Sequence, residues 1–277
     1  MPELTFGDID DVAKPLAILV HGFPDTPHTW RHLGPALTEV GYRVSAPWLP
    51  GYLAAAQGPV SVGTYVRHIL AEYALHHGDG RSILIGHDWG ANAGYGVVST
   101  EPAAFRRYVA LAVPPTATLG GGIFSYDQLK RSFYMWFIQQ VGLAESVLLG
   151  PGFWESLWSD WSPGYDASED ITVLRRYVDT GTIAGVLSPY RASFNPEFAD
   201  PASMAEAAAT LASPPVPTLY LHGSKDGAVG ADLIGGVAEQ LPAAGSKFHM
   251  IDGAGHFLHL ERPTEVAAAI LGWLADG

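Results

Sequence analysis

Leu16-Ala17-Ile18-Leu19-Val20 is apolar at every position, the pattern of a strand buried on both faces of a parallel sheet. Trp30, Leu33, Leu37 and Val40 follow at helical spacing. The alternation then repeats. Tyr42 to Ala46 reads as a strand, and Ser61 caps a helix whose Val62, Tyr65, Val66, Ile69, Leu70 and Tyr73 share one face. Residues 82–86 form the next strand, a helix follows Trp89, and Tyr108 to Val113 make a further strand. Leu4-Thr5-Phe6 is a short strand ahead of them. Such a rhythm predicts a mostly parallel sheet flanked by helices, with ligands at the carboxyl ends of its strands.

From Pro114 the rhythm stops. Between Pro114-Pro115 and Pro214-Pro215 the patterns are helical, and the stretch holds Trp136, Trp154, Trp158 and Trp161. Residues 114–213 therefore read as a helical lid inserted into a core made of 1–113 and 214–277. The sheet resumes at Val216 to Leu221. A helix, a strand at Lys247 to Ile251, the loop of His256 and a helix after Pro263 complete it.

Composition narrows the class. The chain has 277 residues, 48% hydrophobic and 16% charged, which is globular and long enough for a large core. Fifteen Lys and Arg against 28 Asp and Glu give −13, which argues against nucleic acid or an anionic membrane as partner. With no cysteine, disulfides, thiolate nucleophiles and Cys-based zinc sites are excluded. Met1 to Asp11 shows no leader pattern, and no apolar run is long enough to span a membrane, so cytoplasmic residence is expected; a monomer and a homodimer both stay open.

Chemistry enters at Ile85-Gly86-His87-Asp88-Trp89-Gly90, where a strand ends in a glycine-flanked polar residue and a helix begins. This resembles the nucleophile elbow of α/β-hydrolases, with Asp where an esterase carries Ser. The bland alternative is an N-capping Asp at a strand-to-helix turn. A carboxylate nucleophile leaves an ester, whose hydrolysis needs a base, a group to hold that base, and oxyanion donors. His256, in a glycine-rich loop after the last strand, is the candidate base. Asp226 is the acid that holds it, preferred over Asp252, which lies only four residues before His256. The backbone N–H groups of Phe23 and Trp89 are the candidate oxyanion donors. Among the 11 histidines, His21, His87 and His222 read as strand-end packing residues, and His68, His76 and His77 as a helix surface and its end.

Across nearly its whole length the chain resembles the epoxide hydrolases of the α/β-hydrolase superfamily. His21-Gly22-Phe23-Pro24 matches the H-G-x-P motif, Gly86 to Gly90 the elbow, and Gly255-His256-Phe257 the histidine loop. The resemblance implies an α/β-hydrolase fold with a helical cap, a small apolar epoxide and water as reactants, and no cofactor or metal. It also implies two lid tyrosines that protonate the epoxide oxygen. Phe133-Tyr134-Met135-Trp136-Phe137 resembles the first tyrosine segment and Ser188-Pro189-Tyr190-Arg191 the second, so Tyr134 and Tyr190 are carried over, with Tyr126 and Tyr165 as substitutes. Residues 133–138, apolar all round, are expected to lie buried between lid and core. One departure is Leu53 in Trp48-Leu49-Pro50-Gly51-Tyr52-Leu53, where the family usually has a second glycine.

The nearest rival is a haloalkane dehalogenase, which shares the Asp nucleophile and the Trp after it. Phe23 stands where that family often has an Asn, and the tyrosine pair suits an alkoxide, which needs a proton, better than a halide. A fluoroacetate-type dehalogenase usually carries Arg after the Asp. A non-catalytic hydrolase-fold binding protein is the reading from another class, and it leaves the joint presence of Asp88, Asp226, His256 and two tyrosines unexplained.

Overall fold

In the computed structural model, which describes residues 4–276, the run Leu16–Val20 forms a strand buried at every position. Seven strands among the described residues build one sheet: β1 (Leu4–Phe6), β2 (Leu16–Val20), β3 (Arg43–Ala46), β4 (Ile83–His87), β5 (Arg107–Leu111), β6 (Thr218–Gly223) and β7 (Lys247–Ile251). Their order is β1-β3-β2-β4-β5-β6-β7, with β1 antiparallel to β3 and every other pair parallel. The chain runs outward from β2 to β3 and then returns to β2's other side as β4. The strand order therefore reverses between β2 and β4, and their carboxyl ends flank the crevice where ligands bind in such sheets.

Alternation along the strands builds two cores. Leu16, Ile18, Val20, Leu84, Tyr108 and Ala110 face one side, with Tyr65, Val66 and Ile69 of the helix Val62–Leu75. Ala17, Leu19, Ile83, Ile85, Val109 and Leu111 face the other, with Leu37 and with Ile270 and Trp273 of the helix Pro263–Ala275. Ser61 caps the helix Val62–Leu75, its hydroxyl accepting from Thr64 N–H while Ser61 N–H donates to the Thr64 hydroxyl.

Between β5 and β6 the described residues contain helices and no strand; the longest helices are Phe153–Trp161 and Ile183–Phe194. The last part of this segment rests on the core, where Ser203 Oγ meets Ser61 Oγ at 3.1 Å.

Three local expectations need correction. The helix expected between β6 and β7 is only two short 3-10 turns, Ala231–Leu233 and Val237–Gln240, separated by Gly235 and Gly236, whose backbone freedom disfavours a continuous helix. The helix expected through Val40 is split at His32, and Val40 sits exposed at its end. The aromatic stretch at 133–138 is not buried all round: Tyr134 and Ile138 are buried, but Phe133 and Trp136 are 45% and 42% exposed. One turn and a half of helix can turn only part of its surface inward.

Candidate active site

Asp88 occupies the first residue past β4, with φ of +51°, and the helix Trp89–Thr100 starts immediately after it. A side chain rarely tolerates that backbone, and such strain is typical of functional turns. The turn also leaves no room beside it. A Cβ at Gly90 would lie 2.2 Å from the Val20 carbonyl oxygen, and one at Gly22 would lie 2.4 Å from the Asp88 Cβ. The glycines thus let the ends of β2 and β4 close on each other and bring Phe23 to Asp88.

Phe23 N–H donates to Asp88 Oδ1 at 2.7 Å. Asp88 Oδ2 lies 3.5 Å from His256 Nε2, and the other ring nitrogen, Nδ1, is 2.9 Å from Asp226 Oδ2. Asp226 Oδ1 accepts from the N–H groups of Ala228 and Val229 at 2.8 and 2.9 Å, which fixes the carboxylate in the loop after β6. The structure thus brings Asp88, His256 and Asp226 into one relay from three strand ends. Asp252 is exposed and bonded to Ser224 Oγ, away from the histidine.

Burial opposes the His256 cation, but the carboxylates of Asp226 and Asp88 outweigh it and push the imidazole up to about 10. Burial likewise favours a neutral Asp226, yet His256 and the Val229 N–H hold its carboxyl below the usual value. His256 therefore lies between two carboxylates that favour its cation.

A cavity of about 560 Å³ opens over this relay, and Asp88, Trp89, Tyr134, Tyr190 and His256 all line it. The Tyr134 and Tyr190 rings stand 5.6 Å apart and nearly perpendicular. Burial first, and then the charge of Asp88 for Tyr134 and the neighbouring phenol and Asp88 for Tyr190, raise both phenols above their ordinary value, so both keep their protons. Of the two substitutes, Tyr126 is 77% exposed, and the Tyr165 hydroxyl donates to Asp170 Oδ2 at 2.8 Å. Trp89 packs edge-on to Tyr190 at 4.9 Å. Across the departure at Leu53, the Tyr52 hydroxyl still donates to the Gly22 carbonyl at 3.0 Å.

The sequence profile of the alpha/beta hydrolase family matches residues 17–269. The chain belongs to that family. Epoxide hydrolase A of Mycobacterium tuberculosis is 28% identical over 94% of this chain and 90% of its own length. Epoxide hydrolase 3 of Mus musculus is 26% identical over 95% of this chain and 71% of its own. Among solved structures, that of epoxide hydrolase A from Mycobacterium thermoresistibile superposes with a TM-score of 0.76 at 22% identity, covering 99% of this chain and 98% of that one, which shows the shared fold.

Sequence reasoning missed the residues of this hydrolase that brace the relay from the helical segment. The Trp161 carbonyl accepts from both His256 N–H and Gly227 N–H, at 2.9 and 3.1 Å, and its ring lies 4.9 Å from the His256 ring. Gln128 Nε2 donates to the Ala228 carbonyl at 2.7 Å, its Oε1 accepts from Gly230 N–H, and Arg131 Nη1 donates to the Asp226 carbonyl. Trp154, Trp158 and Trp161, at spacings of four and three, were a legible sign of one buried helix face.

Asp25, His87 and His259 form a second buried cluster, with one ligand-type atom from each within 4.8 Å of the others. These are the residues of the described chain that could hold an ion, yet none of them lines the cavity. His87 Nε2–H donates instead to the His256 carbonyl at 3.0 Å. His21 keeps to a similar role, its Nε2 accepting from Leu49 N–H at 3.1 Å.

Proposed function

We propose that the protein is an epoxide hydrolase that opens an apolar epoxide to a vicinal diol through an ester on Asp88. The observation that carries this reading is a buried carboxylate with a histidine–aspartate pair on one side and two protonated tyrosines lining the cavity above it. The names of the relatives that span the chain support it.

In this reading Tyr134 and Tyr190 grip the ring oxygen while Asp88 Oδ2 attacks a ring carbon from the far side, breaking the carbon–oxygen bond. A tyrosine proton passes to the new alkoxide, and the proton held by His256 restores the phenol. Esterification removes the charge of Asp88, one of the two carboxylates that keep His256 protonated, so its proton affinity falls and it becomes the base. Held by Asp226, His256 takes a proton from water, and the hydroxide adds to the ester carbonyl. The Phe23 and Trp89 N–H groups stabilise the oxyanion. Collapse releases the diol, with the second hydrogen of the water passing to the leaving alkoxide and Asp88 regenerated. The division into a core of 1–113 and 214–277 and a lid of 114–213 belongs to the same proposal. It is supported by the tyrosines coming from the helical segment and the relay from strand ends.

A side-by-side assay with styrene oxide and a bromoalkane tests the reading. Diol from the epoxide without bromide release is expected; bromide without diol would establish the dehalogenase alternative, and neither product would remove the enzymatic scheme.

A further inference from the structure

We infer that the cavity selects epoxides with an uncharged, extended apolar substituent and discriminates against those bearing a carboxylate. The inference rests on the epoxide hydrolase reading and adds to it the charge of the substrate.

The cavity of about 560 Å³ is far larger than an epoxide ring requires and is in the range that encloses a drug-sized molecule. Away from Asp88 its walls are mostly apolar, formed among others by Val62, Val113, Ile123 and Leu233, with neutral polar side chains such as Asn92, Gln128 and Thr210 between them. Phe194, Met204 and Leu211 also line it although they are 40%, 61% and 63% exposed, which places an apolar rim where the cavity meets solvent. A substituent extending from the ring therefore meets mainly hydrocarbon and uncharged polar groups along the cavity, and hydrocarbon at its mouth.

Charge decides which substituents fit. No lysine or arginine lines the cavity among the described residues, whereas Asp88 and Asp200 do. Of the cations on neighbouring elements, Arg67 pairs with Glu206 at 2.7 Å, and Arg131 lies outside the lining and donates to the Asp226 carbonyl. The His256 ring already faces two carboxylates of the protein, Asp88 and Asp226. A carboxylate on the substituent would leave water for walls that offer no counter-charge, and would approach a nucleophile of its own sign. The chain's net charge of −13 acts in the same direction during the encounter. A neutral chain of equal length meets none of these costs and gains by burial.

The test compares epoxidised oleic acid with its methyl ester, below their aggregation limits, at about pH 8, where the acid is ionised. The ester's kcat/KM is expected to exceed the acid's by at least about tenfold, the size of effect an unpartnered carboxylate produces. Leu211→Lys, which sets a cation at the rim, is expected to narrow that gap by raising turnover of the acid. In parallel, calorimetric binding of dodecanamide and dodecanoate to the wild-type protein reads the same preference without catalysis. Equal or faster opening of the acid, or equal binding of dodecanoate, overturns the inference while leaving the hydrolase reading intact. If neither of these epoxides nor styrene oxide is opened but the amide still binds better, the hydrolase reading fails and the charge selection stands.

Discussion

Phe23 N–H holds one oxygen of Asp88, Oδ1, at 2.7 Å, while the other, Oδ2, faces His256 Nε2 at 3.5 Å. The two oxygens are thus set apart before any substrate arrives: Oδ1 accepts from a backbone donor, and Oδ2 is the one that attacks in the proposed scheme. In heavy-oxygen water a single turnover is expected to deposit label in the Asp88 carboxylate, read by mass spectrometry of its peptide, with unlabelled diol released first. Label in that first diol would mean direct attack by water.

In the proposed scheme the second half-reaction depends on His256. His256→Gln is expected to keep ring opening and stall ester hydrolysis, so that intact-protein mass spectrometry shows an adduct of one substrate mass. Absence of an adduct from a folded variant would assign the base elsewhere.

Tyr134 and Tyr190 line the cavity with raised phenol values, and in the proposed scheme they donate to the developing alkoxide. Replacing both with Phe is expected to slow adduct formation by about 10²–10⁴-fold, the usual worth of general acid assistance. Stopped-flow tryptophan fluorescence reads that step, because Trp89 borders the site.

His256 also couples stability to pH. Its imidazole rises from roughly 6.5 in the unfolded chain to about 10 in the folded one. The stabilisation is therefore fully present below about pH 6.5 and is lost as pH climbs through about 10. The melting temperature of the wild type is expected to fall across that alkaline window, and that of His256→Gln to fall less. Calorimetry at a series of pH values checks the difference.

Arg191 follows Tyr190 in the helix Ile183–Phe194 and is 4% exposed, with Nε on the Ile138 carbonyl at 3.1 Å and Nη1 on Glu145 at 2.7 Å. Arg191→Ala strands a partly buried carboxylate and frees the end of the Tyr134 helix. A loss of about 3 kcal/mol in denaturant unfolding is expected, as for other broken buried pairs, together with a lower rate of ring opening.

The relay was legible because its chemistry sits where strands end, and those ends are marked by glycines that close packing demands. Gly22 and Gly90 show in the sequence, and they locate Phe23 and Asp88. The strands were legible for a related reason, since a run such as Leu16–Val20 has no polar side on which to face water. Elements whose surroundings come from distant chain were not legible. Trp136 reads as a core residue, yet its ring packs on Phe194 with nearly half its surface open. The Trp161 carbonyl carries no mark in the sequence at all, because its use depends on where a helix stops relative to the histidine loop.

The acid loop after β6 is stitched to the helical segment by Gln128 and Arg131. The two parts are consequently poor candidates for exchange between enzymes. A chimaera that grafts a foreign stretch in place of 114–213 would forfeit those ties, and would inherit a misaligned Asp226 even with every reacting side chain retained. Diversification of this scaffold by shuffling has to carry the stitches along with the roof.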